Sequence, residues 1–311
     1  MKGAIRYGAC FVGEGVRHVL KIKRKHVYDN ITYLDDLHAN QAIAAAIREG
    51  RPFLACRFGS GEMRAFRRTL EVRWGLRREI PEETMDSLCV NAGFFPRDRQ
   101  KVMAFGLEME KASRQADLIG TWEGLLMEDY VYDTFLPQAK RCFLSGLEPF
   151  FCGEPWTGAL EGRRVLVIHP FEETIRSQYG RRELLFEDPR ILPAFHLETV
   201  KAVQTIAGQR DERFADWFEA LDYMAEEALQ KEFDVAVIGC GAYGFPLAAR
   251  LKAEGKQAIH MGGAAQLLFG IHGKRWDERA DYRAIMNENW RRPTESEKPA
   301  AAAKIESGCY W

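Results

Sequence analysis

Gly239, Gly241 and Gly244 stand at G-x-G-x-x-G spacing directly after a short apolar run, Asp234 to Ile238. Glycines so placed let the backbone turn tightly and bring main-chain N–H groups at the start of the next helix against a phosphate. The chemistry offered is anion binding, with Tyr243 inside the turn as a further contact. Pro246 suits the first turn of that helix and Gly255 its stop. The following strand, Gln257 to Met261, runs into His260, Met261, Gly262 and Gly263, where a dinucleotide site would carry an acid for the ribose hydroxyls. Lacking that acid, the chain is a poor match for a nicotinamide or flavin enzyme, and no tightly bound organic cofactor is expected. The diphosphate of another nucleotide suits the pattern better. A glycine-rich turn also serves close packing with no ligand present, so the fingerprint alone leaves both roles open.

A second set of candidates lies at the ends of other apolar runs. Pro52 to Arg57 reads as a strand that enters Arg57-Phe58-Gly59-Ser60-Gly61-Glu62 and then a helix from Met63 to Thr69. Arg57 offers a planar fork for phosphate and Glu62 a carboxylate for a metal or a hydroxyl, although Glu62 also suits the first turn of its own helix. Asp117 to Thr121 is a strand followed at once by Trp122 and Glu123, and Arg164 to His169 is a strand with Pro170 forcing a turn after it. Glu123 and then His169 are the candidates for a base, His169 having the bland alternative of a ring held by backbone. Lys274 and Arg275, in a basic turn, could offset the charge of a diphosphate.

These tips must be positioned by strands alternating with helices. Helices are expected at Asp36 to Arg48, closed by Gly50, at Pro81 to Val90, Arg97 to Arg114, Leu125 to Phe135, Asp211 to Gln230 and Tyr282 to Trp290, and a short strand at Ile191 to His196. The alternation predicts an α/β fold, a Rossmann-like, mostly parallel sheet flanked by helices, with helical N- and C-terminal extensions. We divide it into an arm over 1–35, a single domain over 36–290, and a tail over 291–311 whose last aromatics, Tyr310 and Trp311, dock on the domain.

At 311 residues with 46% hydrophobic and 29% charged residues, the chain is long enough for a sizeable core. Lys+Arg 44 against Asp+Glu 45 leaves a net charge of −1 and no global field to recruit nucleic acid. Seven scattered cysteines without C-x-x-C spacing suit a reducing cytoplasm, and no apolar run reaches the length of a membrane span. The cluster Arg17, His18, Lys21, Lys23, Arg24, Lys25 and His26 reads as a solvated arm or as an amphipathic segment on an anionic membrane surface. No P-loop, H-E-x-x-H, EF-hand loop or G-x-S-x-G elbow occurs.

The Arg57-to-Glu62 turn, together with the late Val-Ile-Gly-Cys-Gly-Ala-Tyr-Gly unit and its continuation Gly255 to Gly263, resembles the bacterial GT-D-type glycosyltransferases. The resemblance spans roughly residues 50 to 270. It implies a Rossmann-like enzyme that takes a nucleotide-diphosphate sugar, a UDP-sugar in the first place, and delivers the sugar to a surface glycan, lipid-linked or protein acceptor. It further implies a cytoplasmic protein, at the inner face of the membrane or not, and allows a homodimer. In that family the first motif reads Arg-Phe-Gly-Asp-Gly-Glu, and its Asp-x-Glu pair is associated with a divalent metal, manganese or magnesium. Here Ser60 replaces the Asp and only Glu62 matches. A hydroxyl is a poor ligand for a hard cation. The resemblance thus implies Glu62 as metal ligand or sugar-orienting group, with Arg57, Gly239, Gly241, Tyr243, Gly244, His260, Gly262, Gly263, Lys274 and Arg275 around the diphosphate. An NAD(P)-dependent oxidoreductase and a non-catalytic nucleotide- or glycan-binding subunit are the alternatives.

Overall fold

The computed structural model describes residues 2–20, 33–122, 124–299 and 310–311. Glu123 and the basic residues Lys21, Lys23, Arg24, Lys25 and His26 lie outside the described residues, as do the side chains of Arg17 and His18.

Eight strands form one sheet: β1 (Tyr33–Leu34), β2 (Phe53–Arg57), β3 (Leu118–Thr121), β4 (Lys140–Phe143), β5 (Arg164–His169), β6 (His196–Lys201), β7 (Val235–Ile238) and β8 (Gln257–His260). Their order is β1-β4-β3-β2-β8-β7-β5-β6, and every pair is parallel. The α/β class expected from the sequence is therefore observed. The central strands are buried on both faces, which is why they read as continuous apolar runs rather than alternating ones. Leu54, Cys56, Leu166, Ile168, Ala236 and Ile238 enter one core, while Phe53, Ala55, Val165, Val167, Val235 and Val237 enter the other.

The helices are α1 (Lys2–Val19), α2 (Asp36–Glu49), α3 (Ser60–Arg73), α4 (Glu82–Asn91), α5 (Arg99–Ser113), α6 (Glu128–Phe135), α7 (Glu172–Tyr179), α8 (Trp217–Leu229), α9 (Gly244–Ala253), and the short α10 (Lys274–Asp277) and α11 (Ala280–Arg283). Residues of α3, α4, α5, α8 and α9 cover the first face; α2, α7 and the 3-10 segment Gly262–Phe269 cover the second. The Asp35 side chain accepts the His38 N–H at the start of α2, and Gly50 closes it in a left-handed conformation.

Several expected boundaries move for identifiable reasons. The helix expected from Asp211 starts at Trp217, because the Asp216 carboxylate accepts the N–H groups of Phe218 and Glu219 and so fixes the N-terminus there. The strand expected at Ile191 to His196 is instead β6, beginning where Pro193 no longer removes a donor. The helix at Leu125 begins at Glu128, and the helix at Tyr282 to Trp290 is confined to Ala280–Arg283. The helix expected from Met63 already begins at Ser60.

Candidate functional site

Two adjoining hollows open at the carboxyl ends of the strands, where open α/β sheets hold ligands. One lies at the tips of β2 and β8 and measures about 640 Å³; the other lies at the tips of β5 and β7 and measures about 580 Å³. They share Asn91, Ala92, Gly241, Gly263 and Tyr310 as common walls.

The first hollow is polar. Arg57, the last residue of β2, has its guanidinium 4.6 Å from the ring of Trp122, and its Nε donates to the Phe58 carbonyl at 3.3 Å. The Trp122 indole N–H donates to that same carbonyl at 2.7 Å, so ring and cation are held as one unit. Gly262, at φ 63, lies beneath: a methyl group on it would come within 3.1 Å of Arg57 Nη1. Arg275 enters from α10, its guanidinium 4.8 Å from the ring of Tyr310 and 3.3 Å from the Tyr310 hydroxyl. Tyr310 in turn rests on Gly263, where a methyl group would meet its ring at 2.5 Å. Two planar cations thus face one polar hollow, each oriented by an aromatic ring.

Glu62 lines the same hollow but is only 9% exposed. Its carboxylate folds back over the first turn of α3, so close to Gly59 that a methyl group there would lie 1.8 Å from it. Burial raises the Glu62 carboxyl above its ordinary value, opposed by its own backbone N–H and by Arg57. The positive end of α3 is therefore already occupied by a side-chain anion. This arrangement does not fit a resident divalent cation: no group of three or more His, Cys, Asp or Glu suited to a metal occurs among the described residues, and Ser60 adds only a hydroxyl.

The glycine turn corrects the diphosphate cradle expected at Gly239, Gly241, Tyr243 and Gly244. The Gly239 N–H donates to Ile168, the Ala242 N–H to Ala92 and the Gly244 N–H to Gly241, so these donors are spent inside the protein. The space over each glycine is filled as well: Gly239 abuts Ala265, the Gly262 carbonyl and His169; Gly241, at φ 59, abuts the Ala92 carbonyl; and a methyl group on Gly244 would lie 2.1 Å from the His260 ring. Tyr243 is buried, stacked on Trp217 at 5.1 Å, with its hydroxyl 2.9 Å from that of Thr205. The turn thus packs α9 and the end of α4 onto the sheet. Gly241 alone of the three borders the polar hollow.

Both histidines at the strand tips are buried and neutral, pushed down to about 3, His169 by burial and His260 by burial and then the nearby Arg57. They are opposite tautomers. His169 Nδ1 accepts the Phe171 N–H at 3.0 Å, which leaves its proton on Nε2. His260 Nδ1 lies 3.3 Å from the Ile238 carbonyl and must donate to it, which leaves Nε2 as an acceptor. Neither has the charge for binding phosphate, and His169 cannot serve as the base expected of it. Lys274 is corrected too: it is exposed and borders neither hollow, and its backbone N–H holds the Trp311 carbonyl instead.

The chain leaves β5 outward to β6 but leaves β7 inward to β8, a topological switch point, and the second hollow lies there. It is mostly apolar, walled by Phe171, Val203, Ile206 and Trp311. Sequence reasoning missed Phe171, Val203 and Ile206 as walls, and also Ser87 and Asn91, which the end of α4 brings to the polar hollow. Only the pair of terminal aromatics had a sequence signal, since large rings are seldom left in water.

No family model and no curated protein matches the chain. Two solved structures of the domain of unknown function 1792 are similar to it at 13% identity and a TM-score of 0.43. One, described as having a distinct glycosyltransferase fold, is matched over 75% of this chain and 78% of its own; the other, substituted with selenomethionine, over 76% and 79%.

Proposed function

We propose that the protein transfers a sugar from a nucleoside-diphosphate donor, a UDP-sugar in the first place, to a glycan, lipid-linked or protein acceptor. The observation that carries this reading is the pair Arg57 and Arg275, two aromatic-oriented guanidinium groups on one polar hollow at the carboxyl edge of a parallel sheet. Negative charge accumulates on the diphosphate as the glycosidic bond breaks, and fixed cations in a partly buried site stabilise it most at that stage. Gly262 and Gly263 let both cations approach. Glu62, beside them, orients a sugar hydroxyl, and His260 Nε2 accepts from another. Glu123 follows Trp122 directly in the chain, and we assign it the base that deprotonates the acceptor.

A peripheral membrane position accompanies this function. One side of α1 packs through Tyr7 on Trp74 and Tyr130, at 5.4 and 5.1 Å. Its other side leaves Ile5, Val12, Val16 and Val19 at least half exposed, immediately before the basic residues Lys21 to Lys25.

Isothermal titration with UDP-, GDP- and dTDP-sugars tests the reading, paired with an assay for nucleoside diphosphate release, each with and without manganese. Micromolar binding with slow release, both abolished by Arg57→Ala, is the expected result. No heat with any donor up to millimolar concentration refutes it. A missing second carboxylate beside Glu62 favours one competing reading, a binding subunit, and binding without release under every acceptor tried would establish that one instead.

A further inference from the structure

We infer that the apolar hollow at the β5–β7 switch point is the subsite for the base of the donor nucleotide, and that His169 reads a carbonyl on the base edge through its Nε2–H. This rests on the nucleotide-diphosphate reading and extends it from the phosphates to the base.

Four observations combine. The hollow adjoins the arginine-bearing one through Asn91, Gly241, Gly263 and Tyr310, so a single ligand can run from one into the other. Its walls Phe171, Val203, Ile206 and Trp311 suit a flat, weakly hydrated ring rather than a phosphate or a free sugar. At its floor His169 is only 4% exposed, its Nδ1 is committed to the Phe171 N–H, and its Nε2–H has no acceptor among the described residues. That N–H is not among the sealed polar atoms of the interior, so it faces the hollow that His169 lines. The Gln204 amide, half-buried on the same hollow, supplies a donor and an acceptor side by side.

A buried, neutral, tautomer-locked imidazole is a donor only. It complements a carbonyl oxygen and is left facing another donor by the exocyclic amino group that adenine or cytosine carries at the same place on the base edge, which favours the oxo groups of uracil, thymine or guanine. Burial keeps the ring neutral across the physiological range, so this preference does not change with pH between 6 and 8. A site built to hydrogen-bond one group discriminates strongly against a ligand lacking it, because the protein's own donor is then stranded.

The test is titration calorimetry of the full chain with UDP, ADP and inorganic pyrophosphate. His169→Asn keeps an acceptor for the Phe171 N–H but removes the Nε2 donor; Ile206→Trp, at a half-buried position, plugs the hollow with a ring. UDP is expected to bind the unaltered protein about tenfold or more tighter than ADP. His169→Asn is expected to weaken UDP about fivefold to twentyfold and to erase most of the preference over ADP. Ile206→Trp is expected to weaken UDP further. Both variants are expected to leave pyrophosphate within twofold and to keep the circular dichroism of the parent. The inference is overturned if UDP binds the parent and both variants alike, if pyrophosphate weakens in step with UDP, or if the variants change only the KM for an acceptor. The nucleotide-diphosphate reading fails separately, if neither UDP nor pyrophosphate binds the unaltered protein.

Discussion

The third glycine of the fingerprint offers a quantitative test of whether it serves packing or phosphate. A methyl group at Gly244 would lie 2.1 Å from Cε1 and 2.3 Å from Nδ1 of His260, well inside ordinary contact, and the ring is buried with Nδ1 tied to the Ile238 carbonyl. Gly244 has φ −59, an ordinary helical value, so Gly244→Ala adds no backbone strain and isolates the collision. Overpacking of this kind costs about 1–3 kcal/mol. His260→Ala alone removes a buried ring and one of the two hydrogen bonds to the Ile238 carbonyl, which keeps the Met261 N–H, for about 2–4 kcal/mol. In the double variant the new methyl group occupies part of the space the ring has left. The pair should therefore fall short of the sum by about 1–3 kcal/mol, measured by urea unfolding followed by circular dichroism. Pyrophosphate affinity should be the same in the double variant as in the parent, because the N–H of Gly244 is already bonded to the Gly241 carbonyl. A neutral Gly244→Ala, strict additivity, or a loss of pyrophosphate binding in a folded double variant would each refute the packing role.

The two buried histidines make stability fall in acid: held down to about 3 in the fold against about 6.5 unfolded, each favours the protonated unfolded chain as pH drops below about 6.5, by about 1.4 kcal/mol per pH unit. Urea unfolding between pH 6 and 4 should show His260→Ala with a slope shallower by about that amount, and an unchanged slope would refute it. Arg57→Lys keeps the charge but loses the stacking on Trp122 and the planar fork, so pyrophosphate affinity should drop about tenfold, with a smaller drop for Trp122→Leu; retention of parental affinity in Arg57→Lys would count against the site. On α1, Val12→Asp with Val16→Asp should cut co-sedimentation with anionic vesicles several-fold without changing the melting temperature, since both side chains are largely exposed. Equal sedimentation of parent and variant would rule out the membrane face.

The strands buried on both faces were legible because burial on two sides forces an uninterrupted apolar run, as in Val235 to Ile238. The edge strand β6 was not: its sequence HLETVK mixes polar and apolar residues, and its pairing with β5 is a tertiary fact. Strand β4, KRCF, carries two charges and escaped notice for the same reason. At the site, Arg57 and Glu62 stood out by their place after a strand. The purpose of the glycines did not, since a glycine that admits a phosphate and a glycine that admits the His260 ring have the same spacing. Whether an N–H is free or already bonded depends on a neighbour such as Ala92, almost 150 residues away in the chain. The exposed stripe on α1 was masked in sequence by the basic run that follows it.

Tyr310 stands between the two hollows and lines both. Its ring is confined by Gly263 on one side, the Arg275 guanidinium at 4.8 Å, and the indoles of Trp276 and Trp311, both at 5.9 Å. As the partition between two chambers, it ties their dimensions together: thickness gained in one is taken from the other, and any tilt of the ring also turns the cation lying on it. Two halves of an elongated molecule threaded past that partition are therefore not chosen independently, and a chemist who enlarges one end should see selectivity change at the opposite end.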